Sequence, residues 1–157
     1  DADLRRETVE TMPDVDRAHF LRERPIEYRP VNPRDWVAGE SRPAMQQSWF
    51  RTVARLPDDP ALHRAVIAYA SDSILLGTCT LPHGVTWGQA GFQSASLDHA
   101  LWLHDEIRAD EWLLYSCDAP WAGRARGFNR GSIFTADGRL VASVAQEGLI
   151  RYRPPET

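Results

Sequence analysis

Two periodicities divide the chain. From Pro60 to Leu76 (PALHRAVIAYASDSILL) apolar residues recur at helical spacing, and from Gln93 onward the period changes to strict alternation. The helix has a clear opening: Asp59 is a good N-cap and Pro60 suits the first helical position. Its end is expected near Gly77, the residue type that favours a helix C-terminus. Alternating stretches over Gln93–His104, Glu111–Asp118, Arg126–Thr135 and Arg139–Tyr152 each read as a strand, and Asp137-Gly138 joins the last two as a hairpin. Upstream, Pro25–Val31 reads as an edge-like strand because of its prolines, and Met45–Leu56 as a second. Asn32–Pro43 and Leu81–Gln89 carry the Pro and Gly of surface connections.

The element order is therefore two strands, one long apolar helix, then a four-strand antiparallel run. A helix that is apolar nearly all round must be covered on most sides. One curved sheet folded around one central helix achieves this, which is an α+β architecture. Residues 1–24, dense in charge, read as a linker or exposed segment, 25–153 as the domain and 154–157 as a tail.

Composition narrows the function classes. A chain of 157 residues is one domain's worth, long enough for a real core. A formal net charge of -4 argues against a nucleic-acid partner, which calls for a basic face. All 18 basic residues are Arg, a choice that suits phosphate recognition but reflects genome composition equally well. Cys79 and Cys117 stand far apart and read as two buried thiols of a reducing, cytoplasmic compartment. The five histidines form neither HExxH nor a His/Cys metal set. The longest apolar run, Ala65–Leu81, contains Asp72 and small polar residues, so it reads as a core helix and no membrane partner is expected. No signal peptide or peroxisomal tail is recognisable, and an opening on charged residues without Met reads as a piece of something longer.

Three polar residues occupy positions that the pattern assigns to apolar ones. Asp72 sits at helical spacing from Ala65, Ala68, Tyr69 and Leu75. It serves either a cleft or a neighbouring loop as a cap. Gln146 shares a strand face with Leu140, Ala142, Val144, Gly148 and Ile150, and an amide there needs a partner, whether as cross-link or as chemistry. Ser96 lies in the strand Gln93–His104, where alternation places it opposite His99; a Ser96/Asp98/His99 triad is thereby excluded, and His99 reads as a core histidine. Weaker candidates are Arg124, Arg126 and Arg130 for a phosphate, and Trp87, Trp102, Trp112 and Trp121 for an acyl channel.

YASDSILL (Tyr69–Leu76), SLDHALWLHDEIRADEWLLY (Ser96–Tyr115), ARGFNRGSIFTADGRLVAS (Ala125–Ser143) and VAQEGLIR (Val144–Arg151) together resemble the C-terminal hotdog domain of the type II (TesB-like) acyl-CoA thioesterases. The resemblance covers roughly residues 25–151. It implies a hotdog fold and hydrolysis of acyl-CoA by a water that Asp72, Ser96 and Gln146 activate, with Ser96 standing where the family often has Thr. No metal or bound cofactor is implied. Members of the family carry two hotdog domains, so the resemblance also implies a partner: an N-terminal hotdog half, or a second copy of this chain in a homo-oligomer. The alternative is a non-catalytic acyl-CoA-binding or assembly half. A hydratase would need an Asp/His pair, and Asp72 has no His in its block.

Overall fold

The computed structural model describes residues 23–33, 39–87 and 89–153. The segment expected to be a linker and the short tail lie almost entirely outside them, as does the middle of the Asn32–Pro43 connection. Among the described residues, seven strands form one antiparallel sheet in the order β1-β2-β5-β6-β7-β3, with β4 also on β7. They are β1 (Ile26–Pro30), β2 (Met45–Thr52), β3 (Phe92–Ser96), β4 (Ala100–Leu103), β5 (Leu113–Gly123), β6 (Arg126–Thr135) and β7 (Leu140–Tyr152). One helix, α1 (Pro60–Asp72), packs on the inner face, and a 3₁₀ helix, Leu76–His83, continues its path. The α+β expectation holds, with the proline-bearing β1 at the edge as its sequence suggested.

Inner-face residues alternate along each strand. Ser48, Phe50 and Thr52 of β2, Leu113, Tyr115 and Cys117 of β5, and Ile133 of β6 are buried, and Ile67 and Ala70 of α1 meet Phe50, Tyr115 and Ile133 in one core. Tyr115 Oη donates to the Ser71 carbonyl at 2.7 Å, which pins the end of α1 to the sheet centre. Burial pushes the Tyr115 phenol far above its ordinary range, so it stays a protonated donor. β6 brings glycines to this face: a Cβ at Gly131 would sit 2.4 Å from the Tyr115 ring, and one at Gly127 would sit 2.3 Å from Cys79 Sγ. Cys79 and Cys117 are indeed free and buried.

α1 starts as expected, the Asp59 side chain accepting from Ala61 N–H at 2.9 Å with Pro60 in the first turn. Its end differs. The helix does not stop at Gly77 but tightens after Asp72, with i→i−3 bonds such as Thr78 N–H to the Leu75 carbonyl at 3.1 Å. Gly77 is buried inside the 3₁₀ helix, where a Cβ would meet Trp87 Nε1 at 3.2 Å. The left-handed cap falls instead on Gly84, at φ 61°. Gly77 is thus a packing glycine, a distinction that composition alone does not make. The run Pro60–His83 is long and apolar enough to cross a membrane, but it lies packed on the sheet, more than half of it buried.

Two strands depart from simple alternation. β5 runs past Asp118 to Gly123 because a bulge between Asp118 and Trp121 accommodates Pro120. The expected strand Gln93–His104 is broken in two. Ser96 pairs with Gly148 and Ala100 with Ala145, so Leu97, Asp98 and His99 stand against only Gln146 and Glu147. The amides of Leu97 and Asp98 both point at the Glu147 carbonyl, at 2.9 and 3.4 Å, and Asp98 Oδ1 accepts from Glu147 N–H at 2.7 Å. This bulge decides what faces the helix.

At the far end of the sheet, Asp110 takes a two-pronged contact from Arg108, at 3.0 and 2.9 Å, and accepts from Leu56 N–H at 3.1 Å. The Arg108 guanidinium holds this carboxyl well below the usual carboxylate range. A depressed folded value means that the stabilisation is complete above about pH 4 and fades as pH falls below it. Asp110→Asn is expected to cost on the order of 1 kcal/mol at pH 7. Denaturant titrations of both forms check this: the gap between them closes toward pH 2, whereas a gap independent of pH would remove the ionic account.

Candidate functional site

The three residues singled out in the sequence come together, from three different elements, around one amide. Asp72 is the last residue of α1, Ser96 the last of β3, and Gln146 lies mid-strand in β7. Gln146 Nε2 stands 2.6 Å from Asp72 Oδ1 and 3.2 Å from Ser96 Oγ. The Gln146 side chain is fully buried, as its strand face required. The short contact to a carboxylate fixes its orientation, because an amide oxygen there would be repelled. Its Oε1 is buried and meets no hydrogen-bond donor among the described residues.

Of the two alternatives for Asp72, the structure favours the open cleft over burial against a loop. The side chain is 58% exposed, and it continues an outward stripe of Leu62, Ala65, Ala68 and Tyr69 that the sheet leaves uncovered. Ser96 is exposed as well, and Leu97 beside it is 56% exposed. The cluster therefore has a buried floor, Gln146, and an open mouth edged by the apolar Tyr69 and Leu97.

A fourth residue was missed. His99 Nδ1 lies 3.1 Å from Gln146 Nε2 and 3.8 Å from Asp72 Oδ1, and its Nε2 lies 2.8 Å from Ser71 Oγ. In an unbroken strand His99 would face away from Ser96; the extra residue of the bulge brings both onto the Gln146 side. The histidine excluded on alternation is thus part of the cluster, although the geometry forms no nucleophilic triad: Asp98 is turned to the Glu147 backbone. Only the count of residues between the two pairing partners carried that signal.

The weaker candidates disperse. Arg126 pairs with Glu147 and Arg130 with Asp118, while Arg124 occupies the β5–β6 turn at φ 50°. Trp87 packs edge-on against Phe92, Trp112 lies under both Arg29 and Arg51 with each guanidinium 4.5 Å from its ring, and Trp102 is exposed across from Ser143. Trp121 lies under Arg126, whose guanidinium is 5.9 Å from its ring. What the cluster offers chemically is a carboxylate, a hydroxyl and an amide within reach of one small molecule, a set able to hold a water and take its proton.

Comparison with known proteins concerns the chain as a whole. Residues 15–149 match the family model described as acyl-CoA thioesterase. The chain is 41% identical over 131 residues to the human acyl-coenzyme A thioesterase 8, covering 83% of this chain and 40% of that protein. Among solved structures it is similar to the acyl-CoA thioesterase II TesB2 of Mycobacterium marinum, with TM-score 0.71, 43% identity and coverage of 92% of this chain and 53% of that one. A protein of unknown function with a hot dog fold from Alicyclobacillus acidocaldarius, at TM-score 0.61 and 15% identity over 84% of this chain and 47% of its own, shares the fold alone. The chain spans between 40% and 53% of the length of these three.

Proposed function

Because the chain belongs to the acyl-CoA thioesterase family, we propose that its Asp72/Ser96/Gln146 cluster hydrolyses fatty acyl-CoA to free fatty acid and CoA through an activated water. The observation that carries this reading is the convergence of three residues, distant in sequence, on the Gln146 amide at 2.6 and 3.2 Å. Asp72 acts as general base, its exposure giving a water direct access to the carboxylate. The water oxygen attacks the thioester carbonyl carbon while Asp72 takes its proton. The C–S bond then breaks, the carboxylic acid is released, and CoA leaves as a thiolate that recovers the proton. Ser96 orients the water, and the buried Gln146, donating from Nε2, holds the Asp72 carboxylate in place.

A second unit covers the mouth in this reading, either an N-terminal hotdog half or another copy of the chain. The exposed Tyr69 and Leu97 beside the cluster support it, as does a length about half that of the relatives. The 3.8 Å approach of His99 to Asp72 is the one feature a hydratase would share. It favours hydrolysis nonetheless, because both imidazole nitrogens already face protein groups, Gln146 and Ser71.

Thiol release from a series of acyl-CoAs, with the chain alone and with an N-terminal half added, tests the proposal. Free thiol supports hydrolysis, hydration of an enoyl-CoA supports the hydratase, and binding without either product supports the non-catalytic module. Ser96→Thr keeps the hydroxyl and is expected to retain most of the rate, whereas Ser96→Ala loses about 10–100-fold in kcat. Equal rates for the two variants would remove Ser96 from the mechanism.

A further inference from the structure

The Gln146 amide has two hydrogens and three acceptors around it: Asp72 Oδ1 at 2.6 Å, His99 Nδ1 at 3.1 Å and Ser96 Oγ at 3.2 Å. The strongest claim is that of the Asp72 carboxylate. The second hydrogen goes to His99 or to Ser96, and the state of the imidazole decides which. Ser71 Oγ donates to the Ala68 carbonyl at 2.9 Å, so toward His99 it is left as an acceptor. His99 Nε2, 2.8 Å away, then carries the hydrogen, and Nδ1 presents a bare lone pair to Gln146.

We propose that His99 is a positioning residue: its neutral imidazole, held by Ser71 in the Nε2–H tautomer, accepts the second Gln146 amide hydrogen and locks the amide with its NH₂ toward Asp72 and its Oε1 away. Ser96 is thereby released from satisfying the amide, and its hydroxyl is free for a water or a substrate. The bulge at Leu97–His99 exists, in this account, to aim the imidazole. Asp72 is the charged group facing His99 from α1; on β7 the facing group is the neutral Gln146, and Asp98 in the bulge is engaged with the Glu147 backbone.

The test compares His99→Ala, which removes the acceptor, with His99→Asn, whose Oδ1 restores one near the Nδ1 position. Two readouts are taken. The kinetic one rests on the hydrolytic reading: kcat is expected to fall about 100-fold in His99→Ala with KM within about twofold, and to stay within about fivefold of the unmodified chain in His99→Asn. The second does not depend on activity: in ¹H–¹⁵N spectra the Gln146 side-chain amide resonances are expected to move in His99→Ala and to stay near their original positions in His99→Asn. Unchanged kcat or unchanged Gln146 resonances in His99→Ala would overturn the proposal, as would an Asn variant that falls as far as Ala. If the protein releases no thiol from any acyl-CoA, the hydrolytic reading fails while the spectra still decide the role of His99. Should His99→Ala not fold, His99→Leu fills the volume without an acceptor and takes its place.

Discussion

Asp72→Asn is expected to give a folded chain whose thiol release from acyl-CoA is reduced about 10²–10⁴-fold, the share that a positioned general base contributes. The substitution isolates the base. Asn keeps the shape of the side chain and an oxygen that can still accept from Gln146 Nε2 at the observed 2.6 Å separation, so the local geometry has little reason to change. The carboxylate is 58% exposed, so its removal leaves no buried charge behind and the thermal midpoint is expected to hold. What disappears is the capacity to take a proton from water. Thiol appearance at saturating acyl-CoA, with the N-terminal half present wherever the unmodified chain needs it, reads the effect. A variant that keeps more than a tenth of the rate would place the base elsewhere.

The second large effect falls on stability. Gly131→Ala places a methyl 2.4 Å from Tyr115 Cε2 and 2.8 Å from its hydroxyl, on a ring that is fully buried and cannot swing out. In open space a strand Gly→Ala change would stabilise by roughly 0.5–1 kcal/mol, so the sign of the result is informative. Here overpacking is expected to cost about 2–3 kcal/mol and to lower the thermal midpoint by about 5–10 °C. Activity should fall with it, because Tyr115 Oη holds the Ser71 carbonyl one residue before Asp72. An unchanged midpoint would mean that the ring relaxes freely, and that the Tyr115–Ser71 contact does not set the position of the carboxylate.

Much of this molecule is legible in its sequence for one reason: a half-buried strand writes its faces as alternation. β6 and β7 follow their expected limits to within a residue, and Gln146 falls on the buried face that its neighbours Val144 and Gly148 define. The start of α1 was equally readable, because Asp59-Pro60 acts locally. Misreadings came where tertiary contact overrides a local rule. Gly77 looks like a helix terminator and is a packing site for Trp87, while the terminator is Gly84. Asp72 was expected among apolar neighbours, but the face it shares with Tyr69 is left open by the sheet. His99 was lost because parity was counted through a bulge that no residue type announces.

That bulge lets the edge of the sheet take up one residue more than its partner strand offers, without changing the register on either side. Leu97 and Asp98 are exposed, which ordinarily marks a place where a residue can be gained or lost at little cost. Here three residues oppose two, and removing one would restore plain alternation. β4 would keep its register on β7, Ala100 opposite Ala145 and Leu101 opposite Val144, and the loss would be confined to the doubled amide contact that Leu97 and Asp98 make with the Glu147 carbonyl. The segment is therefore a splice point, and only a chain that straightened with all three residues in place would turn over the strand that follows.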